Sequence, residues 1–484
     1  MRIAVIGAGV SGMTAAHLLH GAHEITLFEA NDYLGGHTHT VDVTANGKTY
    51  PVDTGFIVFN ERTYPNFVRL LQQLGVPWQD SDMSFSVHCE RTGLEYCPSS
   101  LDRLFAQRKN VLRPAFWRMV REISVFRRLL PETAGLPDNV TLGRHLQERG
   151  YSRAFREHFL IPMGAAIWSA EPRGFEEMPA CMFARFFANH GFLEVRDQPQ
   201  WLVIRGGSRE YAKALTAGFQ DRIRLNCPVR SIRRLPDAVE VESTAGGPER
   251  FDHVVLAVHS DQALVLLADP TEQEREVLGA IPYQENQVAL HTDTRMLPTR
   301  RKVWASWNYR IPREVQGMLA VTYDMNILQS LDADREFCVT LNQTQRIDAG
   351  KLLRRMVYSH PVYTPGALAA QRRHAKISGV HRTHYCGAYW GNGFHEDGVN
   401  SALAVCERFG RGLNDVERDL RGQGPSSTFC AGLERIHVPP LHDVPGPVGT
   451  IGSLWRTTAL VGKSSQPRVP PTEGPSGRSG DIAR

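Results

Sequence analysis

The sequence predicts an α/β fold that contains a doubly wound parallel sheet, and three observations lead to this prediction. The chain opens with an apolar run, Arg2-Ile-Ala-Val-Ile6, that leads directly into a glycine-rich turn and an apolar helix. Strand patterns return near Trp201 and again at 251–258. Because these strands alternate with helical segments, we expect crossover connections and hence parallel strands.

The glycine-rich turn has the spacing G-x-G-x-x-G and lies between the first strand and the first helix. In this context the first glycine permits the tight turn, the second lets backbone amides approach a pyrophosphate, and the third lets the helix pack close to the strand. The N-terminus of the helix adds partial positive charge. We therefore predict a dinucleotide site at Gly7, Ala8, Gly9, Val10, Ser11 and Gly12.

The second strand supports this prediction. Residues 24–29 are Glu-Ile-Thr-Leu-Phe-Glu, so an acid, Glu29, ends the strand 22 residues (29 − 7) after Gly7. A carboxylate at this distance can hold the hydroxyl pair of a ribose. The motif alone does not distinguish NAD from FAD.

Length and composition limit the number of domains and the classes of ligand and compartment that this chain can have. A chain of 484 residues exceeds the size at which one hydrophobic core keeps growing, so two domains are expected. A net charge of +4 is too small to indicate nucleic acid binding, and eight scattered cysteines without C-x-x-C spacing indicate neither disulfides nor a metal site. No apolar run reaches the roughly eighteen residues of a spanning helix. We expect a cytoplasmic protein whose only membrane contact would be peripheral, at the inner face.

Strand and helix patterns divide the chain into two interleaved domains. We assign 1–90, 200–282 and 375–414 to the nucleotide-binding domain, and 91–199 and 283–374 to an α+β substrate domain. The Asn46-Gly47 pair between two alternating runs predicts a hairpin. Residues 415–484 are rich in Pro, Gly, Ser and Arg, which predicts a disordered tail.

Four separated segments together resemble the amine oxidase superfamily of flavoproteins. They are the turn at 7–12 with Glu29, the run Leu34-Gly-Gly-His-Thr-His39, the run Arg205-Gly-Gly-Ser208, and residues 385–402, Tyr-Cys-Gly-Ala-Tyr-Trp-Gly-Asn-Gly-Phe-His-Glu-Asp-Gly-Val-Asn-Ser-Ala. The resemblance covers about 1–410. It implies a Rossmann-like FAD-binding domain of the amine oxidase type and FAD as the cofactor.

The resemblance also implies roles for individual residues. Gly35, Gly36, His37 and Thr38 would pass close to the ribityl chain and flavin, Val229 would bracket the adenine, and Gly387, Asp397 and Gly398 would close over the isoalloxazine. The family often carries an arginine where this chain has His37. The lysine that some amine oxidases hold near the flavin is not identifiable; Lys302 lies beside two arginines, which favours a solvated turn.

Several side chains are candidates for the flavin face. His37, Trp390, Phe394 and His395 are the catalytic candidates, since aromatic walls exclude water and a histidine can hold or donate a proton. His37 and His395 could equally be structural histidines, whereas the glycines Gly391 and Gly393 beside Trp390 and Phe394 favour a close approach to a ligand for that pair. Asp53, Asn60 and Glu61 follow a strand that points toward the same cavity, although a capped turn explains them almost as well.

Longer phrases resemble one bacterial subgroup of this superfamily. They include Gly-Gly-His-Thr-His-Thr-Val-Asp-Val at 35–43 and Tyr-Trp-Gly-Asn-Gly-Phe-His-Glu-Asp-Gly at 389–398. Members of that subgroup often accompany cyclopropane-fatty-acid-synthase-like methyltransferases. The resemblance implies such a fatty-acyl methyltransferase as a partner and redox chemistry on acyl chains.

Residues 103–130 combine eight Lys or Arg residues with aromatic side chains such as Phe105 and Trp117. This mixture suits a helix lying on an anionic bilayer, and it suits an ordinary amphipathic helix with a solvated basic face.

The predicted function is an FAD-dependent oxidoreductase without a metal ion. It would oxidise, by hydride transfer to flavin, a hydrophobic substrate such as a methylated fatty acyl chain of a phospholipid. Two alternatives remain open: an amine oxidase, and a flavin- and lipid-binding partner of a methyltransferase that has no turnover of its own. The absence of a second G-x-G-x-x-G motif favours reduction of the flavin by the substrate.

Overall fold

The structure is a computed structural model that describes residues 1–193, 198–313, 317–415 and 418. The predicted tail at 415–484 lies outside the described residues except for Asp415 and Arg418. The strands, numbered in chain order, are β1 Arg2–Ile6, β2 Glu24–Phe28, β3 Thr40–Ala45, β4 Lys48–Asp53, β5 Val58–Phe59, β6 Trp78–Ser81, β7 Phe85–Cys89, β8 Leu94–Tyr96, β9 Trp201–Ile204, β10 Ile223–Arg224, β11 Val229–Arg234, β12 Val239–Ser243, β13 Glu249–Phe251, β14 His253–Leu256, β15 Tyr283–His291, β16 Trp307–Ile311, β17 Val321–Asp324, β18 Cys338–Leu341, β19 Leu352–Pro361 and β20 Thr383–Tyr385.

The helices are numbered in the same way. They are α1 Val10–Leu19, α2 Pro65–Gln73, α3 Leu101–Leu104, α4 Pro114–Ala134, α5 Leu142–Glu148, α6 Arg153–Phe155, α7 Ile161–Trp168, α8 Pro172–Glu176, α9 Ala180–His190, α10 Arg209–Thr216, α11 Ser260–Leu266, α12 Glu272–Leu278, α13 Met325–Leu328, α14 Pro365–Gln371, α15 His374–Ile377 and α16 His395–Glu407. Among the described residues, no helix has the length and apolarity needed to cross a bilayer.

A parallel sheet with the order β10-β2-β1-β14-β20 confirms the predicted fold class. The central strand β1 is covered on both sides, and Ile3, Ala4 and Val5 are fully buried. This explains why the strand is a continuous apolar run and does not alternate. Helices α1, α10 and α16 share one core with the sheet, while the meander β11-β12-β13 with α11, α12 and α14 shares another.

A second sheet of seven strands, β19-β15-β18-β17-β16-β7-β8, carries the substrate domain. Only β16 and β7 pair in parallel. Helices α4, α5, α7 and α9 pack with this sheet around one large core, in which Phe126, Phe155 and Phe183 are fully buried. The strands and helices of the two sheets therefore alternate along the chain.

The domain boundaries differ from the predicted ones in two places. Strand β7 begins at Phe85 and pairs with β16, so the first crossing into the substrate domain precedes residue 90. Helix α14 buries Ala367 and Ala370 in the core of the nucleotide-binding side, so the return crossing precedes residue 375. The segment 103–130, which the sequence predicts as one helix, is interrupted by a 3₁₀ turn at Arg108–Leu112.

The predicted hairpin is present as β3 and β4. Ala45 pairs with Lys48, and the two residues between them, Asn46 and Gly47, have φ angles of 49° and 76°. Positive φ at both positions gives the turn the twist that a two-residue hairpin requires.

A buried carboxylate, Asp53, joins the hairpin to both domains. Its oxygens accept hydrogen bonds from Thr40 Oγ1 (2.6 Å), from Ser208 N (2.9 Å) and Oγ (2.7 Å), and from Gln329 Nε2 (3.2 Å). Ser208 precedes α10 in the nucleotide-binding domain, and Gln329 follows α13 in the substrate domain. Ser208, the last residue of the Arg205-Gly-Gly-Ser208 motif, therefore donates hydrogen bonds to Asp53 and helps to link the two domains.

We expect Asp53→Ala to lower the free energy of unfolding by about 3–5 kcal/mol, because four donors would lose a buried charged acceptor. The matched control is Asp42→Ala on the same hairpin, since Asp42 forms a half-exposed ion pair with Arg209 and its loss should cost less than about 1 kcal/mol. Urea unfolding followed by circular dichroism measures both. Equal costs for the two variants would contradict the assigned role of Asp53.

Candidate functional site

One cavity of about 890 Å³ extends from the carboxyl end of the parallel sheet to the seven-stranded sheet. Its lining comes from both domains: the glycine-rich turn and Glu29 at one end, α7, α9 and β16 at the other. A cavity of this size suits a large cofactor together with part of a substrate.

The turn at the start of α1 forms one wall. Gly7, Ala8, Gly9, Val10 and Ser11 of the predicted dinucleotide site all line the cavity. The first amides of a helix have no partner within it, so those of α1 are available to an anion at the mouth of this turn. A Cβ built on Gly9 would meet no atom within 4 Å, so the backbone here borders open cavity.

Gly12 has a different role. A Cβ at this position would lie 1.9 Å from Gly7 O, so its hydrogen is what allows α1 to pack against the turn. Gly12 does not line the cavity. It contributes to the predicted cofactor site only by letting α1 pack against the turn.

Glu29 and Val229 lie together at the far end of the nucleotide wall. Glu29 is only 6% exposed; its Oε2 accepts from Ala8 N (2.7 Å) and its Oε1 from Asn31 N (2.9 Å) and Nδ2 (2.8 Å). The carboxylate is thus held rigidly, and Oε2 keeps acceptor capacity for a ribose hydroxyl. Val229 opens β11 beside Cys227 and Pro228, where it can flank an adenine ring.

The double glycine leads the chain across the cavity. Gly35 and Gly36 line it, and a Cβ on Gly36 would lie 3.4 Å from Gly9 Cα, so the two glycine-rich segments are in near contact. A β-bridge between Gly9 and Gly35 fixes this approach.

His37 also lines the cavity, within a cluster of rings. Its ring centroid lies 5.1 Å from those of His360 and Tyr358 and 6.0 Å from that of His259. Burial lowers the pKa of His37 and of His259 to about 4, and that of His360 to about 3. The histidines are therefore neutral at physiological pH. His37 Nε2 is buried without a protein partner, which fits a polar ligand atom at this point.

His395, the first residue of α16, is the other histidine of the predicted set that faces the cavity. Its Nε2 lies 3.0 Å from Thr38 Oγ1 and 2.9 Å from Tyr211 OH, and its ring stacks on Phe56 at 3.4 Å. Burial holds its pKa well below the usual range, so the ring stays neutral. Thr38 does not line the cavity; it contributes by orienting His395.

The remaining residues of the closing segment divide between two faces. Gly387 and Phe394 line the cavity. Trp390 does not, contrary to the prediction: its ring packs 4.4 Å from His374 in the core behind the segment. A 3₁₀ turn at Ala388–Trp390 directs the side chain of Tyr389 toward the cavity and that of Trp390 away from it.

Asp397 and Gly398 also lie behind the cavity wall. Asp397 Oδ2 accepts from Phe394 N (3.0 Å), so the carboxylate caps α16 and holds the preceding loop. A Cβ on Gly398 would lie 2.6 Å from Val10 Cγ1, so this glycine lets α16 pack against α1. Neither residue lines the cavity; both shape it.

Asp53, Asn60 and Glu61 do not line the cavity either. Asp53 makes the interdomain link described above. Asn60 Oδ1 accepts from Thr63 N (2.9 Å), which is a capped turn. The capped-turn explanation therefore holds for Asn60, whereas Asp53 has a role that neither explanation predicted.

The far end of the cavity is an aromatic chamber, formed by Met83, Trp168, Phe186, His190, Phe192, Trp201, Trp307 and Tyr323. Phe394 faces it, 4.8 Å from Phe186 and nearly parallel to it. His190 Nδ1 bonds to Phe186 O (3.0 Å), and burial lowers the pKa of His190 to about 4. Sequence analysis missed all these residues, because they lie on α7, α9 and distant strands without a shared motif.

The described lining of the cavity contains neither lysine nor arginine, and its only carboxylates are Glu29 and Asp261. Lys302 forms an ion pair with Asp102 at the surface and is not part of the site. Within the described residues, no cluster of His, Cys, Asp and Glu has the geometry of a metal site. At its aromatic end the described wall is therefore neutral.

Comparison with known proteins agrees with this architecture. The profile of a family described as "Flavin containing amine oxidoreductase" matches residues 10–311. A Mycobacterium tuberculosis protein named "Putative flavin-containing monoamine oxidase AofH" is 27% identical over 283 residues, which are 55% of this chain and 59% of that protein. The alignment thus spans little more than half the length of that relative.

Two further proteins extend the comparison. Zeta-carotene desaturase of Synechocystis is 36% identical over 76 residues, which are 16% of this chain and 15% of that protein. The structure of cyclohexylamine oxidase from Brevibacterium oxydans superposes with a TM-score of 0.63 at 17% identity, over 85% of this chain and 99% of that one. The latter similarity establishes the fold.

The open backbone at Gly9 and the rigid Glu29 carboxylate fit the ADP half of FAD, and the orphaned His37 Nε2 fits a polar atom of its flavin half; FAD is the cofactor of the matched family. With the profile match over 302 residues (10 to 311 inclusive) of 484, the chain belongs to the flavin-containing amine oxidoreductases, a family of FAD-dependent oxidoreductases.

Proposed function

We propose that this protein oxidises a neutral, apolar substrate by hydride transfer to FAD. The observation that carries the proposal is the aromatic chamber, which is continuous with the nucleotide wall and presents no charged side chain among its described residues. A carboxylate or ammonium group in this chamber would lack a partner, which is costly in a dry site. An alkyl or polyene chain would instead contact uncharged, largely aromatic side chains, which match its low polarity.

Among apolar substrates, we favour the methylated acyl chain of a phospholipid and its desaturation. The resemblance of 35–43 and 389–398 to a subgroup that accompanies fatty-acyl methyltransferases supports this choice, as does the relative named zeta-carotene desaturase, whose name implies a long apolar substrate. A methyltransferase that supplies the methylated chain would then be a partner.

FAD, when bound, would accept a hydride from one carbon of the substrate while the adjacent carbon loses a proton and a double bond forms. The protein's own residues prepare this step. Phe394, Phe186 and Trp168 exclude water and hold the chain, with ring centroids 4.8 Å and 6.1 Å from that of Phe394. His395 and His190 are neutral and weakly basic, because burial lowers the pKa of each, so either ring would pass the released proton on to water rather than retain it.

An amine oxidase is the second candidate. The 27% identical relative named as a monoamine oxidase favours it, and aromatic walls also suit a neutral amine. The described chamber offers no carboxylate to attract the ammonium form, so such a substrate would enter deprotonated. A third candidate, a flavin- and lipid-binding partner without turnover, predicts a flavin that no substrate reduces.

We expect Gly9→Val to abolish flavin binding while the chain still folds. The new side chain would project into open cavity where the pyrophosphate is expected, and the φ of −71° at this position suits valine. Gly246→Val is the matched control, since its Cβ also meets nothing within 4 Å but lies in a remote turn. The ratio of flavin to protein absorbance measures the effect. A Gly9→Val protein with normal flavin content would contradict the cofactor assignment.

We expect anaerobic addition of phospholipid with methyl-branched acyl chains to bleach the bound flavin. The control substrates are a phospholipid with short acyl chains and an apolar primary amine. Bleaching by the amine alone would favour the amine oxidase, and bleaching by neither would favour the partner without turnover. The visible spectrum before and after addition distinguishes these results.

A further inference from the structure

A surface segment of the substrate domain, residues 108–121, here called the tip, exposes several large apolar side chains. It consists of the 3₁₀ turn Arg108–Leu112 and the first two turns of α4. Leu112 is 84% exposed, Val111 46% and Trp117 39%. No other described stretch of this length exposes three large hydrophobic side chains.

The fold does not require these side chains. Phe116 and Met119 form the buried face of α4, whereas Val111, Leu112 and Trp117 are directed away from that face. Trp117 Nε1 donates to Val111 O (2.8 Å), so its polar atom is satisfied within the tip. Its ring centroid lies 5.3 Å from that of Phe105. These contacts fix the conformation of the tip, and its apolar side chains are exposed to solvent.

Basic residues surround this apolar surface. The tip contains Arg108, Lys109, Arg113, Arg118 and Arg121 and no acidic residue. Three of them have local partners: Arg108 pairs with Asp102, Arg118 with Glu122, and Arg113 bonds to Asn110. Lys109 and Arg121 are exposed and form no ion pair with the described residues. Exposed apolar residues surrounded by Lys and Arg side chains are typical of proteins that bind the interface of an anionic bilayer.

We propose that the 108–121 tip is a membrane anchor. Val111, Leu112 and Trp117 insert into the interfacial region, and the surrounding cations bind anionic phospholipid headgroups. A nucleic acid would use the cations but not an exposed leucine. Helix α4 packs on α9, which contributes Phe186 and His190 to the aromatic chamber, so the anchor places the substrate domain on the bilayer. The proposal holds whether or not the substrate is a lipid.

The test is flotation of the full-length flavoprotein with phosphatidylcholine vesicles that contain or lack phosphatidylglycerol. Leu112→Ser removes the inserted side chain, and Leu353→Ser is its control at another exposed apolar position. Lys109→Glu reverses a charge of the tip, and Arg233→Glu is its control on the remote strand β11. All four positions are exposed, and unchanged flavin absorbance confirms that each variant is folded.

We expect the wild-type protein to float only with vesicles that contain phosphatidylglycerol. Leu112→Ser should weaken this binding on the order of tenfold, and Lys109→Glu by at least about fivefold, while both controls bind as the wild type does. Failure to float would overturn the proposal. So would full binding by Leu112→Ser together with weak binding by Lys109→Glu, because that result indicates surface adsorption of a polyanion without insertion.

Discussion

The buried carboxylate of Asp53 is the interaction on which the geometry of the cavity depends. It ends β4, and the chain from Gly55 to Val58 that follows it forms a cavity wall. Its acceptor oxygens hold Thr40 of the hairpin, Ser208 of the nucleotide-binding domain and Gln329 of the substrate domain. Burial raises the pKa of Asp53 to about 6, so the ionised form at neutral pH costs stability that these donors must offset. The two domains are thereby held in one orientation around the cavity.

A second constraint is the neutrality of the cavity. His37, His259, His360, His190 and His395 all have a pKa lowered by burial, so five histidines in its walls are uncharged at physiological pH. The phosphates of a dinucleotide are then met by backbone amides and a helix terminus, without a compensating cation among the described lining residues. In the proposed function, the same neutrality at the aromatic end would select against charged substrates.

The sequence predicted the fold class and the cofactor, because these depend on local patterns. A strand followed by G-x-G-x-x-G and a helix has few alternative structures, and Glu29 lies at the distance that such a unit requires. The sequence predicted the segments of the closing wall but not which side chains face the cavity. Trp390 lies behind it because the 3₁₀ turn at Ala388–Trp390 directs Tyr389 to the cavity instead. Asp397 and Gly398 lie behind it on α16, where they cap the helix and let it pack against α1.

The aromatic chamber could not have been predicted in the same way. Trp168 and Phe186 lie on amphipathic helices whose apolar faces look like any core-facing surface, and Trp307 lies on a strand more than a hundred residues further along the chain. Only the packing of α7 and α9 against the seven-stranded sheet brings these rings together. The role of Ser208 was likewise hidden, because its acceptor lies 155 residues earlier in the chain.

The central claim is that a single cavity holds the flavin against an uncharged aromatic chamber. A crystal structure of the purified protein with its cofactor tests it most directly. We expect a pyrophosphate at the amides of Val10 and Ser11 and a ribose at Glu29. We expect the isoalloxazine ring beside Phe56 and Phe394, with its free face toward Phe186. An isoalloxazine ring that lies outside this cavity, or one whose free face meets a charged side chain, would contradict it.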